Sequence, residues 1–286
     1  MRTEKPMDPA WIGYVGGYNG RARYYRCAFE LDRTVEVATL DITGLGHFEP
    51  RLNGGKVGDR VLDPGQTDTA KRILYSTFDV TGRVRRGENV LAAIVGHGWH
   101  GMPILWARLT LEHVDGTRTT VCSGRQPEGN PWHVAVGPLL YDSIYEGEQY
   151  DARLEFRGWD APGCELDRTQ WYQVSELPPP AGVLEPQTCE PIRVVDTLTP
   201  TRVTELQTGT FIVDAGQNIA GWARIRPAAA RGTRVVLRYA ENLDDGGNLH
   251  PGTNRKANVH DVYICRGEGV EEWEPRFTYH GFRYVE

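Results

Sequence analysis

Short stretches rich in Val, Ile, Tyr, Phe and Thr recur about every ten residues along the chain, separated by turn residues. Apolar and polar positions alternate within most of these stretches, and a period of two is typical of half-buried β-strands. The pattern predicts a first set of strands at residues 24–31, 35–42, 48–52, 75–80, 89–95, 107–113 and 117–122. It predicts a second set at residues 193–196, 210–214, 222–226, 233–239, 261–265, 272–277 and 282–285.

The segments between these strands contain no long amphipathic helical pattern. The best helical candidate, residues 80–86, would give one or two turns. Asn53-Gly54-Gly55 and Asp115-Gly116 instead fit hairpin loops that need a positive φ. A parallel α/β sheet needs helices of about 10–15 residues between its strands. The sequence therefore predicts an all-β protein built from antiparallel β-sandwiches.

A stiff segment divides the two sets of strands. Residues 177–182 contain three consecutive prolines, which favour an extended polyproline conformation. The length of 286 residues suits two domains, at about 150 residues for each. We therefore predict one β-sandwich at residues 1–180 and a second at residues 181–286.

Charge and cysteine content exclude several classes of protein. The net charge of −6 argues against a nucleic-acid-binding surface. The sequence contains no run of 18 apolar residues, the length that would predict a membrane span. The cysteines contain no CxxC pair, and their odd number predicts free thiols in a reducing compartment. The first ten residues lack the apolar segment of a signal peptide, so we expect a cytoplasmic location. The cysteines are Cys27, Cys122, Cys164, Cys189 and Cys265.

Two segments are candidates for a metal site. Residues 97–100 place two histidines three positions apart, but further ligands are not evident, so a loop that hydrogen-bonds its own backbone is the alternative. Residues 242–249 are acidic and rich in glycine. Asp244, Asp245 and Asn248 could supply oxygen ligands to calcium, and a solvated hairpin turn is the alternative. No cofactor is expected to be required.

Residues 141–153 interleave carboxylates with tyrosines, a combination that suits a sugar site because aromatic rings stack on pyranoses while polar groups bind hydroxyls. The alternative is a buried network of tyrosines, carboxylates and Arg153 that ties a loop to the sandwich. Trp106 and Trp159 are further candidate sugar platforms, with a core position as the alternative for each. The predicted sugar-contact residues are Trp99, Tyr145, Glu146, Glu148 and Asp151.

An ordered set of motifs resembles the N-terminal part of bacterial α-L-rhamnosidases. The resemblance covers essentially the whole chain, and its most specific motif is the segment 144–153. Gln66 and Ala215 depart from the family pattern, which usually has Trp and Phe at these positions. In the first predicted sandwich the motifs are residues 52–59, 62–68, 87–91, 96–99, 144–153 and 158–159. In the second predicted sandwich they are residues 214–222, 240–243 and 273–285.

The resemblance implies both a fold and the part of the enzyme in which catalysis takes place. It implies a jelly-roll or galactose-binding-like sandwich followed by a lectin-like, concanavalin-like sandwich. In the family an α/α toroid that follows these sandwiches carries the inverting hydrolysis of terminal α-L-rhamnose, so the resemblance assigns no catalytic residue to this chain. The resemblance implies that the partners are rhamnose-containing glycosides and the toroid domain of the same chain. It leaves open whether the protein forms a homodimer. Some family members bind rhamnose with calcium through an N-terminal sandwich, and no ligand set here can be matched to theirs.

Three functions remain open at this stage. The chain could be the non-catalytic region of a longer or truncated α-L-rhamnosidase, as its end inside a predicted strand suggests. It could be a free-standing carbohydrate-binding protein without hydrolase activity. It could also serve only as a scaffold that orients a catalytic domain or mediates oligomerisation.

Overall fold

A computed structural model describes residues 8–16, 20–99, 102–126, 129 and 131–286 of the chain. Its regular structure within these ranges consists of β-strands and three short 3₁₀ helices, at Thr81–Arg83, Ala152–Leu154 and Pro251–Asn254. The predicted all-β class is confirmed.

In chain order, the strands of the described residues begin with β1 Trp11–Gly13, β2 Arg23–Leu31, β3 Val35–Leu45, β4 Phe48–Leu52, β5 Gly55–Lys56, β6 Arg72–Asp79, β7 Gly87–Val95, β8 Ile104–His113, β9 Arg118–Cys122, β10 Trp132–Val136 and β11 Leu139–Ser143. There follow β12 Gly147–Asp151, β13 Trp171–Gln173, β14 Ser175–Leu177, β15 Val183–Pro186, β16 Arg202–Gln207, β17 Thr210–Gly221, β18 Arg234–Ala240, β19 Asn242–Leu243, β20 Leu249–His250, β21 His260–Ile264 and β22 His280–Val285.

The chain forms two compact units that are not continuous in sequence. Unit 1 comprises residues 1–137 and 156–193, and unit 2 comprises residues 138–155 and 194–286. The hairpin of β11 and β12 is thus encoded between elements of unit 1 but belongs to unit 2. The division at residue 180 stays a prediction, and β14 and β15, on either side of that position, both pair within unit 1.

Unit 1 is a sandwich of two sheets. One sheet has the order β14-β1-β8-β3-β6-β15, with β9 also paired to β8, and the other has the order β13-β10-β2-β7-β4-β5. Alternation along the strands points one face of each sheet inward, because successive side chains on a strand lie on opposite faces. In β8 the inward positions Leu105, Ala107, Leu109 and Leu111 are fully buried. They pack with residues of the facing sheet such as Tyr25, Cys27, Leu91, Ala93, Val95 and Trp132.

The opposite face of β8 carries a smaller apolar cluster. Ile104 and Trp106 alternate with the core positions of β8 and pack with Trp11 and Ile73. Beside them Arg108 donates to the Asp41 carboxylate at 2.7 Å. Both faces of this sheet are therefore covered over part of its area.

Unit 2 contains one seven-stranded sheet, of order β11-β12-β21-β18-β22-β17-β16, and a separate two-stranded hairpin of β19 and β20. β12 and β21 run parallel, with Tyr150 opposite Tyr263. The remaining pairs in this sheet are antiparallel. The inserted hairpin therefore forms one end of the sheet.

Three predicted strands of the second set differ from the structure. Segments 222–226 and 272–277 form only an isolated bridge between Ile225 and Trp273. Each segment lies at or beside a proline, Pro227 or Pro275, which has no N–H to extend a ladder. Segment 193–196 contributes only a bridge between Arg193 and Arg60.

Two further expectations concern the chemistry of the whole chain. The five cysteines are free thiols, as predicted from their number and spacing. Within the described residues, none of the helices has the length and apolar character needed to cross a bilayer.

Replacement of Leu109 by Ala tests the core of unit 1. Leu109 is fully buried between the sheets, so removal of its side chain leaves a cavity and should lower the free energy of unfolding by about 2–5 kcal/mol. Val114→Ala is the control, because Val114 is 65% exposed and should change stability by less than about 0.5 kcal/mol. Urea denaturation measures the free energy of unfolding of each variant. Equal losses in the two variants would contradict the placement of Leu109 in the core.

Candidate functional site

Glu148 lies at the centre of a cluster of buried ionisable groups in unit 2. The side chain is fully buried, and its Oε1 accepts the backbone N–H groups of Arg276 at 2.9 Å and Phe277 at 2.5 Å. Its own backbone N–H donates to the Asp261 carboxylate at 2.8 Å. Glu148 therefore joins the inserted hairpin to two distant segments of the chain.

The surroundings of Glu148 disfavour its charged form. Burial raises the pKa of Glu148 to about 8, with the N–H of Phe277 and the charge of Arg276 acting in the opposite direction. Asp142, also fully buried, stands directly opposite Glu148 across the β11–β12 pair. Two neighbouring carboxylates in a dry environment are unlike the solvated acids of an open sugar cleft.

Asp261 on β21 organises the adjoining part of the cluster. Its Oδ2 accepts the Tyr239 hydroxyl at 2.6 Å and lies 3.1 Å from Nε2 of His280. The ring of His280 stacks on Tyr239 with centroids 4.2 Å apart. Burial raises the pKa of the Tyr239 hydroxyl well above its ordinary value, so this group stays a proton donor.

The other acids of segment 141–153 bind groups within the same segment. Glu146 accepts the Tyr141 hydroxyl at 2.9 Å. Asp151 accepts Nε and Nη2 of Arg153, both at 2.8 Å, and these hydrogen bonds hold the pKa of Asp151 below its ordinary value. These contacts are those of the structural alternative, a tyrosine–carboxylate–arginine network.

The glycine between Glu146 and Glu148 is required by a close approach of the backbone. Gly147 has a φ of 120°, and a Cβ at this position would lie 2.0 Å from the carbonyl oxygen of His260. The same approach lets the His260 N–H donate to the Glu146 carbonyl at 2.9 Å. The Glu-Gly-Glu sequence is therefore explained by the packing of β12 on β21.

Two of the predicted sugar-contact residues face solvent. Tyr145, at the turn between β11 and β12, is 50% exposed, and Trp99 in unit 1 is 57% exposed. Trp99 borders a shallow cleft with Gly46, Gln66, Thr67 and Gly98. An indole face beside amide and hydroxyl groups has the chemistry to contact a sugar ring.

The remaining tryptophan candidates are core residues. Trp106 is 6% exposed and packs in the cluster on the second face of β8. Trp159 is 8% exposed and stacks on Trp171, with an edge contact to Tyr24. Each fits the structural alternative given above.

The predicted calcium loop is the turn between β19 and β20. The Asp244 carboxylate accepts the N–H groups of Gly246 and Asn248, both at 2.9 Å, and these hydrogen bonds lower its pKa. Asp245 and the side chain of Asn248 are exposed on the same turn. Among the described residues, no group of three or more His, Cys, Asp or Glu side chains is arranged to hold a metal ion. The calcium site at Asp244, Asp245 and Asn248 stays a prediction.

Two other features limit the sequence-based candidates. His100 lies outside the described residues, so the predicted pair of histidines at 97 and 100 is not described. The sequence reasoning also missed Asp261 and His280, whose roles depend on contacts with β18 and the inserted hairpin. The only signal in the sequence is an acid and a histidine near the beginnings of strands. Many surface positions share this signal.

These observations define a class of protein: two all-β units in which the buried acids of segment 141–153 bind neighbouring groups of the fold. Residues 33–196 match the model of the alpha-L-rhamnosidase N-terminal domain. Residues 204–286 match the bacterial alpha-L-rhamnosidase concanavalin-like domain. The chain belongs to the α-L-rhamnosidase family and corresponds to its N-terminal part.

Individual relatives agree with this placement. The chain is 40% identical over 290 residues to the alpha-L-rhamnosidase of Streptomyces avermitilis, covering 96% of this chain and 27% of that relative. It is 34% identical over 308 residues to one from Formosa agariphila, covering 99% of this chain and 31% of the relative. The chain therefore spans about a quarter to a third of the length of these relatives.

Solved structures show the same fold. The Streptomyces avermitilis α-L-rhamnosidase complexed with L-rhamnose superposes with a TM-score of 0.87 at 40% identity, over 93% of this chain and 26% of that chain. The native enzyme from Aspergillus terreus gives a TM-score of 0.90 at 32% identity, over 98% of this chain and 34% of that chain.

The Asp151–Arg153 contact should contribute to stability at neutral pH. Asp151→Asn removes a charge-assisted pair, and we expect a loss of about 1–2 kcal/mol in the free energy of unfolding at pH 7. Because the folded pKa of Asp151 is lowered, this contribution is present above the ordinary Asp pKa and is lost as pH falls through the folded value.

Urea denaturation at pH 7 and near pH 2 measures both effects, because the folded pKa of Asp151 lies below its ordinary value of 3.8. Asp244→Asn is the control, because its carboxylate caps an exposed turn and should contribute less at pH 7. An Asp151→Asn loss of the same size at both pH values would show that the ion pair is not its cause.

Proposed function

We propose that this chain is the non-catalytic N-terminal region of an α-L-rhamnosidase and supports substrate recognition and domain scaffolding. The observation that carries the proposal is the match of two consecutive domain models of that family, at residues 33–196 and 204–286. The full-length enzyme would hydrolyse terminal non-reducing α-L-rhamnose from glycosides. A helical toroid domain of the same full-length chain would carry out this hydrolysis.

The geometry of segment 141–153 supports a scaffolding role for this region. Glu148 and Asp151 are buried and bound by backbone N–H groups or by Arg153. Neither carboxylate is free to protonate a glycosidic oxygen or to activate water, the two roles that an inverting glycosidase needs. The free thiols support the proposal that the protein works in a reducing, cytoplasmic environment.

Substrate contact is proposed for the exposed aromatic residues. Trp99 offers an open indole face beside the polar groups of Gln66 and Thr67, and Tyr145 offers a second exposed ring. The same exposure favours the second candidate function, a free-standing carbohydrate-binding protein. The two functions differ in whether this region works as part of an α-L-rhamnosidase or binds carbohydrate on its own.

Calorimetric titration with L-rhamnose tests the substrate contact. We expect weak, millimolar binding that Trp99→Ala reduces about tenfold, because the stacking surface is lost. Tyr279→Ala is the matched control, since Tyr279 is 46% exposed and is not among the residues that line the Trp99 cleft. Titrations with and without calcium, and with Asp244→Asn, test the predicted metal loop in the same experiment.

An assay with p-nitrophenyl rhamnoside on the same preparation tests the non-catalytic role. The proposal expects no turnover by residues 1–286. Turnover that a single Asp or Glu substitution within the chain abolishes would overturn the non-catalytic role. Absence of binding heat in all titrations would overturn the substrate contact but leave the scaffolding role to be judged by the assay.

A further inference from the structure

The hairpin of β11 and β12 joins the sheet of unit 2 through β12. β12 pairs in parallel with β21, from Gln149 opposite Val262 to Asp151 opposite Ile264. Beyond this ladder, Glu148 binds the N–H groups of Arg276 and Phe277 in the segment before β22, and the ring of Tyr150 contacts Arg276 and Trp273 of the same segment. Since both N–H groups converge on Oε1, one carboxyl group fastens the hairpin to a segment 128 residues away.

The groups that face Glu148 come from each neighbouring element. β11 contributes the buried Asp142, β21 contributes the buried Asp261, and Arg276 supplies a positive charge. Tyr150 lies on β12 itself, and Arg276 sits over its ring at 5.7 Å. Tyr239 and His280 face the cluster through Asp261. The cluster thus brings three fully buried carboxyl groups together.

A dry site of this kind cannot hold all three carboxyl groups charged without a large cost. A neutral Glu148 removes one charge and still accepts both N–H groups through Oε1, because a protonated carboxyl retains acceptor capacity. An ionised Glu148 would add a negative charge beside the buried carboxyl groups of Asp142 and Asp261. The hairpin can relieve that charge by moving Glu148 into water.

We propose that Glu148 is a proton-dependent latch, which holds the β11–β12 hairpin on the sheet when neutral and releases it when ionised. The latch gives a physical role to the acidic motif at residues 144–153. It is independent of whether any sugar binds at Trp99 or Tyr145.

The direction of the effect follows from the two states of the hairpin. The pKa of Glu148 is raised to about 8 in the closed state, whereas a solvated carboxyl keeps its ordinary value of 4.5. The contribution of the latch is therefore fully present below about pH 4.5 and is lost as pH rises towards 8. Between these values the opening equilibrium should increase about tenfold for each pH unit, and above about pH 8 it should level off.

Glu271 provides a matched control within the same unit. It is also buried and accepts two backbone N–H groups, from Arg266 and Gly267, both at 2.8 Å. Burial alone would raise its pKa, but these N–H groups and the Tyr263 hydroxyl lower it overall. Glu271 is therefore charged throughout the range in which Glu148 titrates.

Amide hydrogen exchange on the 286-residue chain tests the latch. The wild type, Glu148→Gln and Glu271→Gln are compared from pH 5.5 to pH 9, with the intrinsic pH dependence of exchange divided out. We expect protection of residues 139–151 in the wild type to fall about tenfold per pH unit up to about pH 8. Glu148→Gln should remove this dependence because the amide cannot ionise, and Glu271→Gln should keep it.

Strand β7 at the centre of unit 1 is the internal reference and should keep its protection over the same range. Unchanged protection of the wild-type hairpin across the series would overturn the latch, and this result needs no variant to fold. An unaltered pH dependence in Glu148→Gln, or its loss in Glu271→Gln, would also overturn it.

Discussion

The contact between the Glu148 carboxyl and the N–H groups of Arg276 and Phe277 is the constraint on which the second unit depends. Glu148 lies on β12, which pairs with β21 and supplies the N–H that Asp261 accepts. Asp261 then orients Tyr239 and His280 on two further strands. A single buried acid thus connects the inserted hairpin, three strands of the sheet and the segment before the last strand.

This arrangement changes how the family motif in segment 144–153 should be understood. Gly147 permits the close approach to His260, Glu148 fastens the hairpin, and Asp151 binds Arg153. These three residues serve the architecture of the region. The exposed Tyr145 and, in unit 1, Trp99 are the positions that could contact a substrate. A region that scaffolds an enzyme and presents aromatic rings fits the proposed role within an α-L-rhamnosidase.

The sequence predicted those parts of the fold whose pattern is local. The alternation in β8 indicates which face enters the core, and Leu105 and Leu109 lie there. The sequence did not predict the hairpin at residues 139–151, because β21, the strand that β12 joins, lies more than 100 residues away and the buried positions of the hairpin include the acids Asp142 and Glu148. Alternation alone could not show that Glu148 is buried, since a carboxylate in a polar-looking stretch is more often solvated.

The central claim is that Glu148 carries a proton at neutral pH in the folded chain. Carbon-13 NMR of the side-chain carboxyl groups of labelled glutamate measures this directly, with Glu148→Gln to assign the resonance. The account predicts a titration midpoint near 8 for Glu148 in the folded protein. A midpoint in the ordinary range for glutamate, about 4.3, would contradict it.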